Sequence, residues 1–206
     1  MGGSRFVAGK RSVGAQQMGF DAIAPPVPTD RLFFALFPAP EAVDAIVDLQ
    51  RSVIDEEGLS GQPVRADRLH VTLQHLGDFA GLPPTLAERA GRAAASLQEA
   101  AFDIGFDELR SFDSRRRQCP CVLTHSAANG AVHGFQRRLC DALLRAGVDV
   151  PGGGQFTPHV TLLYERRQLE RRAIAPLVWT AQEFVLVHSL LGQTRHLILG
   201  RWQLQG

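Results

Sequence analysis

The sequence contains no long hydrophobic run and few cysteines. No apolar segment approaches the ~20 residues that a membrane-spanning helix needs, so we expect no integral membrane protein and no membrane partner. The N-terminus lacks the apolar stretch and the small-residue cleavage site of a secretory signal. Cys119, Cys121 and Cys140 make an odd number of cysteines, which argues against a disulfide framework and for a reducing compartment. These absences predict a cytoplasmic protein.

Cofactor-binding signatures are also missing. Neither a Gly-x-Gly-x-x-Gly sequence nor a Walker-type loop occurs, so nothing supports a nucleotide cofactor. Cys119, Cys121 and His125 carry side chains that bind zinc, but Cys-x-Cys is too short for the usual spacing of zinc ligands and no second cysteine pair follows. We therefore predict no cofactor and no metal.

Lysine is almost absent, because Lys10 is the single lysine among 22 basic residues. With 21 acidic residues the net charge is only +1. Arginine binds phosphate through a planar fork of donors, although arginine clusters also occur on ordinary solvated surfaces. Arg166-Arg167 follows directly on a motif described below. We predict that Arg166 contacts the substrate, with Arg167 as the alternative.

The same tetrapeptide, His-Val-Thr-Leu, occurs at residues 70–73 and again at 159–162, which is 89 positions later (159 minus 70). Alternating Val, Thr and Leu favour an extended strand, whose side chains point to opposite faces with a period of two. His70 and Thr72 then share one face of their strand, and His159 and Thr161 share one face of the other. A single short motif is weak evidence for a site. Two identical copies predict a polar site of two imidazoles and two hydroxyls.

The remaining pattern predicts an α+β protein. Residues 1–29 show no periodicity and end in a proline-rich stretch, which indicates a flexible tail before one domain at 30–206. The predicted order is strand, helix, strand, helix, strand, strand, helix, strand and a closing strand pair around residues 192–194. The two halves echo each other, since a helix precedes each motif strand. This favours two lobes related by a pseudo-twofold axis.

With its doubled motif the chain resembles the 2H phosphoesterase family, and within it the bacterial RNA 2′,3′-cyclic phosphodiesterases historically called 2′-5′ RNA ligases. Further points of resemblance are segments 31–36 (Arg-Leu-Phe-Phe-Ala-Leu), 76–78 (Leu-Gly-Asp), 156–159 (Phe-Thr-Pro-His) and 200–202 (Gly-Arg-Trp). The resemblance covers about residues 31–204. It implies an antiparallel sheet with helices outside in each lobe, an active site in the cleft between the lobes, and hydrolysis of RNA 2′,3′-cyclic phosphate ends to 2′-phosphomonoesters without a metal.

Two histidines and two threonines suit this chemistry. In-line hydrolysis needs a base on one side of the phosphorus atom and an acid on the other, and imidazole fills both roles because its ordinary pKa is about 6.5. The threonine hydroxyls can donate to the non-bridging oxygens, where negative charge builds up. We assign His159 as the base toward water and His70 as the acid toward the 3′ oxygen, although the residues themselves favour neither order.

The resemblance also implies residues that bind the substrate. Family members place an aromatic side chain of the first strand against the base, which here is Phe34 or Phe33, and we select Phe34. They carry an arginine five residues after the second motif histidine, where this chain has Tyr164. We therefore assign substrate binding to Phe34, Tyr164 and Arg166. Ser189 and Arg195, beside the predicted closing hairpin, are further candidates.

Two other functions fit the same residues. The site could join RNA ends reversibly through a 2′-5′ linkage, which microscopic reversibility permits, although water at roughly 55 M competes (compare effective molarities). The cleft could also belong to a non-catalytic RNA- or nucleotide-binding module, which would show salt-dependent affinity without turnover. In each case the expected partners are RNA ends or small cyclic nucleotides, and we expect a monomer.

Overall fold

The computed structural model describes residue 1 and residues 26–114, 117–126, 129–151 and 156–205. Most of the predicted tail, residues 2–25, lies outside these ranges. Within them the chain forms eight strands and three α-helices, and no helix there is long and apolar enough to cross a membrane. In chain order the elements are β1 (Asp30–Leu36), α1 (Pro40–Glu57), β2 (Val71–Phe79), α2 (Pro84–Ala95), β3 (Phe102–Ser111), β4 (Cys119–Thr124), α3 (Gly130–Arg145), β5 (Val160–Glu165), β6 (Arg172–Ala181), β7 (Glu183–Leu190) and β8 (Arg195–Gln203).

These eight strands belong to one antiparallel sheet with the order β6-β3-β4-β5-β2-β1-β7-β8. The two halves of the sheet, β6-β3-β4-β5 and β2-β1-β7-β8, meet at the motif strands β2 and β5. One backbone bridge joins these strands, between Val71 and Val160. Each half contains a strand, a helix and a motif strand in that order, β1-α1-β2 in one and β4-α3-β5 in the other. The predicted α+β class with two antiparallel halves is confirmed.

The helices cover one face of the sheet, where the main core lies. In α1 the buried residues Ala42, Ile46, Gln50 and Val53 form one stripe at helical spacing. The helix begins with Pro40 at its first turn and is capped after Glu57 by Gly58, whose φ of 58° is the left-handed conformation that glycine adopts without strain. The opposite face of the sheet carries a smaller apolar cluster, and none of the three helices described above packs on it.

A β-bulge follows each motif threonine and changes which side chains share its face. In the pairing of β1 with β2 the register skips Leu73, and in the pairing of β4 with β5 it skips Leu162. A bulge adds one residue to one strand, so the alternation of faces reverses beyond it. His75 and Tyr164, each three residues beyond a motif threonine, therefore lie on the face of the motif residues. Without the bulge, the alternation of a regular strand would have turned His75 to the face opposite His70.

Strand β6 was not predicted from the sequence. It contains Pro176 and alternates between exposed and partly buried residues along most of its length. Proline removes a backbone donor, which argues against a central strand but is tolerated at a sheet edge. Among the described strands β6 is an edge strand that pairs with β3 alone. Pro176 argued against a strand in the sequence. It is tolerated here because an edge strand needs backbone hydrogen bonds on one side only.

The connection between α1 and β2 crosses from one half of the sheet to the other. The amide of Val64 donates to the carbonyl of Leu162 over 2.7 Å, and the same carbonyl accepts from Gln50 Nε2 over 2.5 Å. Glu165, buried at the end of β5, accepts through Oε2 from the amides of Ser60 (2.8 Å) and Gly61 (2.7 Å).

Glycine is required in this connection at position 61. A Cβ atom there would lie 2.3 Å from the carbonyl oxygen of Tyr164, so the backbones approach too closely for any side chain. The connection is thereby held tightly against β5.

Replacing Glu165 by Ala is expected to lower the free energy of unfolding by about 1–3 kcal/mol, because two part-buried amides lose a charged acceptor. Urea unfolding of the wild-type and variant proteins measures this difference. Glu170→Ala is the matched control, since Glu170 is an exposed carboxylate close by in the chain, and we expect it to change the value by less than about 0.5 kcal/mol. Equal losses in the two variants would contradict the role given to Glu165.

Candidate active site

A cavity of about 470 Å³ lies where the two halves of the sheet meet. It opens on the face opposite the helices, because Val71 and Val160 between the motif residues point into the helix-covered core. The structure brings all four motif side chains together in this cavity: His70, Thr72, His159 and Thr161. The sequence predicted that the histidine and threonine of each motif share one face of their strand. The structure shows that both motifs face the same cavity.

The bridge between Val71 and Val160 sets the arrangement of these four side chains. Because the two strands are antiparallel, the neighbours of the bridge residues face each other in crossed pairs. His70 lies opposite Thr161, and Thr72 lies opposite His159. The two imidazoles therefore occupy one diagonal of a small square, and the two hydroxyls occupy the other. A tetrahedral group between them would meet a ring nitrogen on two sides and a hydroxyl on two sides.

Both imidazoles are oriented by the same backbone contact. His70 Nδ1 lies 2.6 Å from the carbonyl oxygen of Arg68, and His159 Nδ1 lies 2.8 Å from that of Thr157. A carbonyl oxygen only accepts, so Nδ1 carries the proton in both rings. Nε2 is then the nitrogen that can accept a proton from a ligand or, after protonation, donate one. The contact is to residue i−2 in each motif, which makes the two sites equivalent.

Burial lowers the pKa of both histidines. The pKa of His70 falls to about 4, chiefly because burial disfavours the imidazolium, with the positive charges of His159 and Arg68 acting in the same direction. Its hydrogen bond to the carbonyl of Arg68 opposes this shift. The pKa of His159 is also lowered by burial. Both imidazoles are therefore neutral near pH 7.

The first strand contributes Phe33 to the cavity, whereas Phe34 lies in the core. Phe33 stacks on His70, with ring centroids 5.1 Å apart and planes at 30°. Phe34 is fully buried on the helix-covered face against Phe184 and Trp202. The selection of Phe34 for substrate contact is therefore corrected. β1 is covered on both faces, so its sequence has no polar alternation that distinguishes one phenylalanine from the other.

His159 has an aromatic neighbour from the other half of the sheet. The ring of Phe112, just after β3, meets it edge-on at a centroid distance of 4.9 Å. The guanidinium of Arg110 lies over the Phe112 ring, 5.2 Å from its centroid, within the range of a cation–π contact. His159 thus packs against Phe112, while His70 packs against Phe33 and also against Phe37, whose ring centroid lies 5.9 Å away.

Of the other predicted substrate contacts, Tyr164 lines the cavity and Arg166 does not. Tyr164 reaches the cavity face through the bulge and is 48% exposed, so a ligand could contact its ring. Arg166 is exposed beyond the end of β5 and lies outside the cavity wall. Its alternative, Arg167, is bound to the carboxylate and the carbonyl of Glu57. The assignment of substrate contact to Arg166 is corrected, because β5 carries the chain past the cavity before position 166.

Several cavity residues come from segments that the motifs did not mark. Arg31, Arg65 and Arg68 line the wall on the side of β1 and of the α1–β2 connection, while Ser189 and His196 come from the β7–β8 hairpin. Ser189 and His196 are direct partners in that hairpin. The predicted turn at 192–194 would have allowed this pairing to be predicted from the sequence. The position of the hairpin beside the motifs depends on the long-range pairing of β1 with β7. Arg195, the other candidate from the hairpin, lies outside the cavity wall.

The cysteines lie away from this cavity. Cys119 and Cys121 are buried in β4, and burial raises the pKa of the Cys121 thiol to about 11. Nδ1 of His125 lies 3.2 Å from a carboxylate oxygen of Asp107. In the part of the chain that the structure describes, no group of three or more His, Cys, Asp or Glu side chains is placed to hold a metal ion.

Comparisons with known proteins agree with this architecture. The structure is similar to Escherichia coli LigT complexed with 3′-AMP (25% identity, TM-score 0.69, covering 87% of this chain and 100% of LigT). It is also similar to TT0787 of Thermus thermophilus (25%, 0.65, 85% and 98%). Usb1 of Kluyveromyces marxianus shares the fold at 13% identity and a TM-score of 0.52, covering 84% of this chain and 98% of Usb1.

Comparison with curated protein sequences gave no match. The model of the 2′-5′ RNA ligase superfamily matches residues 37–192, a segment that contains both motifs and the greater part of the sheet. The fold, the doubled motif and this match agree, and the chain belongs to the 2′-5′ RNA ligase superfamily of 2H phosphoesterases.

Proposed function

We propose that the protein hydrolyses RNA 2′,3′-cyclic phosphate ends to 2′-phosphomonoesters without a metal ion. The observation that carries the proposal is the matched pair of imidazoles in one cavity, each with Nδ1 bound to a carbonyl and Nε2 left for proton transfer. A protein that only binds RNA has no need of two such rings. An enzyme that moves one proton onto a leaving group and takes one from water needs both.

In the proposed reaction water attacks the phosphorus atom opposite the 3′ oxygen. His159 Nε2 takes a proton from the water, and His70 Nε2 gives a proton to the 3′ oxygen as the phosphorus–O3′ bond breaks. The products are a 2′-phosphomonoester and a free 3′-hydroxyl. Thr72 and Thr161 donate hydrogen bonds to the non-bridging oxygens in the transition state. A protonated His70 is a strong acid in this buried site, which favours transfer to an alkoxide.

Features of the cavity support a nucleotide substrate. Its volume is within the range of small-molecule sites, and Phe33, Tyr164 and three arginines line it. LigT, at 25% identity, was crystallised with 3′-AMP. The name of the matched superfamily also favours a second candidate, 2′-5′ RNA ligation. In that reaction a 5′-hydroxyl takes the place of water in the same site.

His70→Ala and His159→Ala are each expected to lower the turnover of a short RNA ending in a 2′,3′-cyclic phosphate by about 10²–10⁴-fold, the usual contribution of a general acid or base. The reaction is followed in the presence of EDTA, and the new terminus is identified by mass and by its sensitivity to phosphatase. His133→Ala is the control, because His133 lies outside the cavity wall.

Three outcomes contradict this proposal. They are wild-type rates in both variants, wild-type turnover only after zinc or manganese is added, and tight RNA binding with no turnover under either condition. A 2′-5′-linked product formed after addition of a 5′-hydroxyl RNA would identify ligation in the same site.

The roles of the two histidines are separated by changing the leaving group. A phosphodiester that releases 4-nitrophenolate needs little help from an acid, because this anion is stable near neutral pH. We expect His70→Ala to lose at least about tenfold less activity on that substrate than on the cyclic phosphate, and His159→Ala to lose about as much on both. The reverse pattern would make His159 the acid and His70 the base.

The lowered pKa values predict an acidic optimum for kcat/KM. The free enzyme must hold one imidazole neutral and the other protonated, and both pKa values lie below the ordinary 6.5. The competent form therefore declines as the pH rises from about 6 toward 8, and kcat/KM should fall about tenfold per pH unit there. Bound phosphate anion raises the pKa of the acid, so kcat should decline at a higher pH. Circular dichroism over the same range controls for unfolding, and a kcat/KM that rises toward pH 8 would contradict the expectation.

A further inference from the structure

Arg68 differs from the other arginines of the cavity in lacking a carboxylate partner. Arg31 is bound through Nε and Nη2 to the carboxylate of Asp78, at 2.7 and 2.8 Å. Arg65 is bound in the same way to Asp67, at 2.9 and 3.0 Å. Across the described ranges, Arg68 forms no ion pair with a carboxylate, and its one side-chain hydrogen bond is made by Nε. Its two terminal nitrogens keep their donors for a ligand.

The guanidinium of Arg68 is held by His196. Arg68 Nε donates to His196 Nε2 over 3.1 Å, so that nitrogen of His196 is unprotonated. Burial and the charge of Arg68 lower the pKa of His196 to about 4, which keeps the ring neutral and able to accept. The His196 ring in turn meets the rings of Phe33 and His70 edge-on, each at a centroid distance of 5.6 Å.

Arg68 also acts directly on the catalytic candidate beside it. Its carbonyl accepts from His70 Nδ1, and its positive charge lowers the pKa of His70. One residue thus orients the imidazole through its backbone and places a cation beside it through its side chain. A guanidinium in the cavity wall whose terminal nitrogens bind no carboxylate can form charge-assisted hydrogen bonds with an anionic ligand.

We propose that Arg68 binds the phosphate group of the substrate, and that His196 positions it for this contact. This inference rests on the proposed function and names the residue that replaces the missing arginine at position 164. The bulge in β5 directs position 164 into the cavity, but the Tyr164 phenol carries no positive charge. In this chain the phosphate-binding charge therefore comes from the first half of the sheet, next to His70, rather than from the second half, next to His159.

The test is Arg68→Met, which keeps most of the side-chain length and removes the charge. It should raise KM for the cyclic phosphate RNA by about 10- to 100-fold, as expected for the loss of hydrogen bonds to a charged group. Arg68→Lys should recover part of that loss. Arg137→Met is the control, because Arg137 is an exposed arginine on α3. Adding Tyr164→Arg to Arg68→Met should lower KM at least part of the way back to the wild-type value. This would not happen if Arg68 had only a structural role.

A binding measurement separates this inference from the proposed function. Titration with inorganic phosphate at about pH 7, followed calorimetrically, should show at least about tenfold weaker affinity for Arg68→Met than for the wild type. If the wild type binds phosphate through Arg68 but turns over no cyclic phosphate, the proposed function fails and this inference stands. If the wild type is active and Arg68→Met leaves both KM and phosphate affinity unchanged, this inference is overturned. A rise in KM for Arg166→Met together with an unchanged KM for Arg68→Met would also overturn it.

The positioning role of His196 is tested by replacing it either with a side chain that accepts a hydrogen bond or with an apolar side chain. His196→Gln retains an oxygen that can accept from Arg68 Nε, whereas His196→Leu does not. We expect His196→Leu to weaken phosphate binding at least about fivefold and His196→Gln to retain most of it. Equal losses in the two variants would show that the ring acts by packing alone and would remove the positioning role.

Discussion

The site depends on one backbone bridge, between Val71 and Val160, at the seam of an eight-stranded sheet. The bridge residues point into the core below the helices, so the residues on either side of each valine point into the cavity. Two copies of a four-residue motif thus become one site with a histidine and a threonine from each strand. A shift of either strand by one residue would turn the histidine and threonine of that strand into the core, which makes the buried valines as important to the site as the polar residues.

The bulges beyond the motif threonines extend the site past this square. They admit His75 and Tyr164 to the cavity face while keeping Leu73 and Leu162 in the core. The rings of His70, His159 and His196 are all neutral near pH 7, because burial lowers the pKa of each and the charge of Arg68 lowers those of His70 and His196 further. The charge in this part of the cavity comes from Arg68. Negative charge brought by a substrate would meet a wall that carries the Arg68 guanidinium beside these three imidazoles.

The sequence allowed the α+β class, the two motif strands and their polar faces to be predicted, because strand alternation is a local property. The division into two similar halves followed from the repeated motif, whereas periodicity left the pairing of the halves open. The choice between Phe33 and Phe34 could not be made, since a strand covered on both faces has no alternation. Arg68 and His196 escaped notice because they meet only when β1 pairs with β7 and the β7–β8 hairpin folds beside it. Strand β6 could not be predicted for a similar reason, since its edge position, which tolerates Pro176, is a property of the whole sheet.

The connection between α1 and β2 also limits how the two halves can move. It leaves a helix of the first half, hydrogen-bonds to β5 in the second half through Val64 and through the carboxylate of Glu165, and returns to the first half with Arg68. A hinge motion that widened the cavity would have to break these bonds together with the Val71–Val160 bridge. These bonds oppose a separation of the two halves, so a ligand would reach the motif residues through the open side of the cavity. With the proposed function, such a site would favour flexible chain ends, which can reach into a fixed cleft, over the interior of a duplex.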